Sequence, residues 1–153
     1  MSTVELTRKY LDAGVEVAVT VPETWLEFEI PGALWCLGEP VEVGVAPNLT
    51  LNLDVATPSV SVAEMVRSTV AGLADSAVYL DEEGVRDGRP SVAMGYSFRD
   101  AEGTPMVQFL LAVVVEADPS VVVTVVGTCG AGVDDEVASA VSDAVSSLVV
   151  ATL

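Results

Sequence analysis

The side chains able to do chemistry in this sequence are few, and no histidine is among them. The usual general base near pH 7 is therefore absent, and Ser-His-Asp, Cys-His and histidine-containing zinc arrangements are excluded. Ser91, Ser97 and Thr104 would need another base. The single lysine, Lys9, lies close to the N-terminus, a poor position from which to activate a nucleophile. Cys36 and Cys129 form no CxxC pair and read as small buried hydrophobes, with a disulfide open to them only in an oxidising compartment. Cys129 precedes a predicted helix, whose dipole would favour a thiolate, but Asp134, Asp135 and Glu136 oppose it.

The run from Gly127 to Gly132 lies between a predicted strand and a predicted helix, where backbone amides can hold an anion. No lysine follows it, and the three acids after it occupy the positive end of the helix, so a plain strand-to-helix turn accounts for the glycines. Asp81-Glu82-Glu83 and Asp134-Asp135-Glu136 lack the ligand spacing of a calcium loop and read as solvated faces. Paired carboxylates for glycoside cleavage converge only in the fold, and nothing distinguishes one pair from another. Asn48-Leu49-Thr50 matches a glycosylation sequon but opens a predicted strand. The expectation is a non-enzyme with no catalytic residues, no cofactor and no metal site. Both tryptophans fall in a segment rich in breakers, together with Phe28, Ile30 and Leu37. Trp25, Phe28 and Trp35 are accordingly the candidate partner-binding residues, the alternative being that they cap one face of a sheet.

The chain that must position these residues has 153 of them, 51% hydrophobic, with a net charge of −17. One domain, 1–153, is expected, and its core needs neither disulfide nor metal. So acidic a chain has no basic stripe for nucleic acid or an anionic membrane surface, and it favours a protein partner that is basic. No apolar run approaches the roughly 18 residues of a spanning helix, so no membrane insertion is expected. The first residues show no apolar signal region and no lipidation cysteine. This points to a cytoplasmic location, with an envelope or secreted one left open if a signal has been removed.

Apolar and polar residues alternate through Val15 to Val21, Leu26 to Ile30 and Leu49 to Val55, predicting half-buried strands, the second of them in a hairpin-like relation to the first. Residues 31–47 hold too many glycines and prolines for a long helix, though Val41 to Val45 could form a short strand. Ser61 and Glu64 form a capping box, Val60 and Met65 are placed for a hydrophobic staple, and Val62, Met65, Val66, Thr69, Val70 and Leu73 form a helical stripe. Asp87-Gly88 signals a type I′ hairpin between Val78 to Val85 and Ser91 to Phe98. Met106 to Glu116 and Val121 to Thr128, joined through residues 117–120, are apolar enough for central strands covered on both faces. A closing helix starts near Asp134, with Val137, Val141, Val145 and Leu148 in a stripe. These elements predict an α+β fold: a mostly antiparallel sheet of about six strands flanked by helices on both faces.

This order resembles the PsbP-like α/β/α sandwich, in particular its bacterial branch related to LpqN and DcrB. The residues that carry the resemblance are Val19-Thr20-Val21-Pro22-Glu23-Thr24-Trp25, Pro47-Asn48-Leu49-Thr50-Leu51-Asn52-Leu53 and Asp87-Gly88-Arg89-Pro90-Ser91-Val92, then Tyr96 and the strand containing Gln108. It spans residues 15–150 and leaves 1–13 as an N-terminal segment. The resemblance implies a docking, assembly or chaperone-like protein whose partner fold analogy does not name. Two other expectations stand beside it. One is a small-molecule-binding or enzymatic domain with a pocket between the sheet and the 31–47 loop. The other is a homodimer formed through the valine-rich strands Val113 to Val115 and Val121 to Val126.

Overall fold

The computed structural model describes residues 2–40, 46–56, 61–116 and 120–153. The N-terminal stretch left without an element by the sequence is a strand, β1 (Thr3–Tyr10), which turns at Leu11–Ala13 into β2 (Val15–Pro22). The two run antiparallel, with Thr3 opposite Pro22 and Tyr10 opposite Val15. Val15, Val17, Val19 and Val21 are fully buried, as their alternation predicts. The other edge of β2 takes the last strand, β10 (Val149–Thr152), giving a three-stranded sheet in the order β1-β2-β10.

With both edges of β2 occupied, the strand predicted as its hairpin partner goes elsewhere. β3 (Leu26–Phe28) pairs with β4 (Trp35–Gly38), which the breaker-rich segment supplies. The short strand predicted at Val41 to Val45 lies outside the described residues, as do Val60 of the staple and residues 117–119. β5 (Asn48–Val55), β6 (Ala74–Arg86), β7 (Arg89–Arg99), β8 (Pro105–Val115) and β9 (Val121–Gly130) complete a seven-stranded antiparallel sheet, ordered β3-β4-β5-β9-β8-β7-β6. Asp87 and Gly88 both take positive φ, 51° and 77°, as the hairpin signal between β6 and β7 requires. The fold is thus α+β and mostly antiparallel, but the single sheet of about six strands is corrected to two sheets, with one helix packed on each face of the larger.

Those helices are α1 (Val62–Ala71) and α2 (Asp135–Ser146). Ser61 caps α1, its Oγ accepting the Glu64 N–H at 3.1 Å. α1 turns Ala63, Val66 and Val70 onto Val92, Met94, Leu110 and Ala112. The predicted stripe shares Val66 and Val70 with this side, while Met65 and Thr69 are exposed. On the opposite face, Val141, Ala144 and Val145 of α2 and the inner side of the small sheet cover Leu49, Leu51, Leu111, Val113, Val123 and Val125. Arg86, at the β6–β7 hairpin, donates to the carbonyls of Ser146 and, at 3.1 Å, Leu148, satisfying the C-terminal end of α2.

Two expectations change with this packing. The valine-rich strands are central, and Val113, Val115, Val122, Val123 and Val125 are buried within the chain, so they offer a second copy no face. Gly127 to Gly130 belong to β9 rather than to a turn. At Gly127 a Cβ would stand 2.5 Å from Val141 Cγ1 and 2.7 Å from Val145 Cγ2, so glycine here admits α2 against the sheet. Cys36 shares its register row with Thr50 and Val126, whereas Cys129, three residues further on, points to the other face. Both cysteines are free and buried, on opposite sides of the sheet.

Candidate functional site

Where β1 of the small sheet passes the β3–β4 end of the large one, a cleft of about 570 Å³ opens. Trp35, only 4% exposed, forms its base, with Arg8 on one side and Phe28, Ile30, Pro31 and Leu34 on the other. Arg8 is placed by the β1–β2 register, which leaves Leu6, Arg8 and Tyr10 half-buried on one side of β1 and Thr7 and Lys9 exposed on the other. Its guanidinium lies 5.1 Å from the centroid of a Trp35 ring, within cation–π range, and pairs with Glu27. The connection after Phe28 is held by a turn from Ala33 N–H to the Ile30 carbonyl at 3.2 Å, with Gly32 at φ 87°. Leu34 N–H then reaches the Leu51 carbonyl at 3.1 Å and starts the pairing of β4 with β5.

These restraints leave Ile30 and Leu34 respectively 42% and 50% exposed beside a buried tryptophan. The result is an apolar rim around an aromatic base, edged by Arg8, Glu27 and Glu29. The Trp35 Nε1–H and the Tyr10 hydroxyl are buried without a hydrogen-bond partner among the described residues. Burial pushes the Tyr10 hydroxyl pKa up, and the nearby Arg8 partly opposes that shift.

Of the three residues singled out from the sequence, Phe28 and Trp35 meet in this cleft. Trp25 does not line it. It is buried at 6% exposure beside α2, next to Val137 and Ala140. Both tryptophans belong to the main core, so neither presents a free ring to solvent. Arg8 and Leu34 were the missing members. The signal for Arg8 was the alternation of Leu6, Arg8 and Tyr10 with Thr7 and Lys9, which spaces one side of a strand.

Lys9 pairs with Glu16 at 3.9 Å, and burial raises the pKa of both Cys36 and Cys129, which disfavours the thiolate. Among the described residues, no three carboxylate or thiol side chains converge where a metal ion could be held. Asn48 of the sequon sits at the start of β5, its Nδ2 donating to the Ala46 carbonyl at 3.0 Å. One polar row crosses the large sheet on β7, β8 and β9. Tyr96 Oη donates to Gln108 Oε1 at 2.7 Å, and Gln108 Nε2 donates to Thr128 Oγ1 at 3.1 Å.

Burial, with a smaller contribution from Tyr79, pushes the Tyr96 pKa up to about 12. An unfolded tyrosine ionises near pH 10. The folded chain therefore keeps this proton where the unfolded chain loses it, and the stability so contributed is complete below pH 10 and lost as pH rises toward 12. Urea midpoints should fall across that window, and Tyr96→Phe should flatten the fall. An unchanged slope would show that Tyr96 ionises freely in the folded chain.

Compared as a sequence, the chain matches no family model and no curated protein. Compared as a structure, it has the PsbP-like fold, with an LpqN-related neighbour. LpqN of Mycobacterium tuberculosis, a protein involved in cell envelope biogenesis, superposes with a TM-score of 0.74 at 14% identity, over 99% of this chain and 92% of that one. The cyanobacterial PsbP of Synechocystis sp. PCC 6803 follows at TM-score 0.61 and 15% identity, over 96% and 92%. The Ran-binding protein Mog1p of Saccharomyces cerevisiae gives 0.55 at 11%, over 97% and 96%. Among the described residues no helix is long and apolar enough to cross a membrane.

Proposed function

We propose that this chain is a non-enzymatic protein-interaction domain that docks its partner on the cleft between Arg8 and the 29–34 connection. The observation that carries this reading is the exposed pair Ile30 and Leu34 beside the buried Trp35 in the lining of the cleft. Apolar side chains raised at a rim over an aromatic floor suit a partner's anchoring residue and the contact ring that excludes water around it. The Ran-binding role of Mog1p, a protein of the same fold, agrees with this class of activity. The net charge of −17 favours a basic partner, whose association would be steered at long range and slowed by salt.

A second reading is a small-molecule site in the same cleft, favoured by its volume of about 570 Å³. A small ligand filling that volume would leave the outward parts of Ile30 and Leu34 wet, which weighs toward a macromolecule. The test is Ile30→Asp/Leu34→Asp, a change at two exposed positions that should leave the melting temperature nearly as it was. Retention of a basic protein from the host lysate should fall about tenfold or more. Undiminished retention would place the partner elsewhere. No protein retained by wild type, together with a rise in melting temperature on adding a metabolite, would favour the small-molecule site.

A further inference from the structure

A second groove runs along α2, away from the cleft. Its larger depression, about 310 Å³, lies between α2 and the strands β1 and β2. A smaller one of about 100 Å³ continues it toward Trp25 and Glu39. The two share Pro22, Glu136 and Ala140, so they form one channel with an apolar floor. Glu136 and Asp143 edge the first depression and Glu39 the second, and no Lys or Arg lines either.

Among the described residues, no Lys or Arg side chain forms an ion pair with these carboxylates. It has six Lys and Arg residues in all. Arg8, Lys9, Arg67 and Arg99 pair with Glu27, Glu16, Asp81 and Asp75. Arg86 is spent on the end of α2, and Arg89 bonds the Asp87 carbonyl and Thr152. The positive end of α2 amounts to about half a charge, which Asp134 and Asp135 already outweigh. The channel thus combines apolar surface with uncompensated negative charge, and its complement is a cationic chain with an apolar backbone.

We infer that this channel docks an extended peptide segment of a protein partner carrying basic residues three apart. Glu136 and Asp143 are seven residues apart on α2, hence on one side of the helix and about 10.5 Å along its axis. A polyproline II segment has three residues per turn and a rise of about 3.1 Å, so residues i and i+3 lie on one side about 9.3 Å apart. A β-strand would point those same residues to opposite sides. Thr20 N–H and Ser147 Oγ, bonded at 2.7 Å, fix α2 to β2 beneath the channel, so the two carboxylates are held at their spacing before the peptide arrives.

The probe is a labelled twelve-residue peptide with lysine at every third position among proline and alanine, followed by fluorescence anisotropy. A peptide of the same composition with its lysines in one block is the spacing control. Glu136→Gln/Asp143→Asn should weaken binding of the spaced peptide about tenfold, whereas Glu82→Gln/Glu102→Gln, equal in charge and remote from the channel, should change it less than about twofold. Ser139→Arg, at an exposed position in the channel, should abolish binding without altering the melting temperature, which separates blockage from unfolding. Equal losses from the two charge-matched pairs, equal affinity for the two peptides, or no binding by wild type would each overturn the assignment.

Discussion

Trp35→Ala is expected to destabilise the chain by about 3–5 kcal/mol in urea unfolding, a large part of the roughly 5–15 kcal/mol that holds such a domain together. Trp35 is 4% exposed, stands opposite Leu51 in the β4–β5 register and belongs to the main core. Removing the indole leaves a void that β4 and β5 cannot close without losing their pairing, and it strips Arg8 of the ring it stacks on. The loss of any bound partner in this variant would therefore report unfolding as much as contact, which is why the exposed Ile30 and Leu34 are the positions for binding tests. A loss below about 1 kcal/mol would mean that Trp35 is not the base of the cleft.

Gly127→Ala is expected to cost about 1–3 kcal/mol, and Gly127→Val more. The added Cβ would meet the branched side chains of Val141 and Val145, which have little rotamer freedom in a helix and cannot swing aside. α2 would have to move off β9, and with it the Ser147 contact to β2 and the end of the helix that Arg86 satisfies. Val141→Ala, destabilising alone, should recover part of the loss when combined with Gly127→Ala, so the double-mutant cycle should show coupling of about 0.5 kcal/mol or more. Strict additivity would show that the helix does not rest on this glycine.

These two positions also mark what could be read in advance. The alternations in β2, β5 and β7 carried enough period-two signal to place their buried sides, and Asp87-Gly88 specified its hairpin because both residues must take positive φ. Pairing between distant strands is not a local property. β10 is only four residues long, and nothing within them says that the far edge of β2 will receive them. With both edges of β2 taken, β3 pairs with β4 in the other sheet. The α1 stripe missed Ala63 because a small residue has little weight in a hydrophobic pattern, yet it packs well where a helix lies close to a sheet. For the site, aromatic composition pointed to the correct stretch of chain around Phe28 and Trp35, but the exposed members Ile30 and Leu34 were set by the Gly32 turn and the Leu34 to Leu51 bond.

The most direct test of the docking cleft is a photo-crosslinking residue placed at position 34, compared with one at position 149, which is equally exposed on β10. In host cells, the residue at 34 should yield one adduct of defined mass with a protein, and Ile30→Asp in the same chain should remove it, while position 149 yields none. Adducts of equal amount from both positions, or none from position 34, would contradict a partner seated over Trp35.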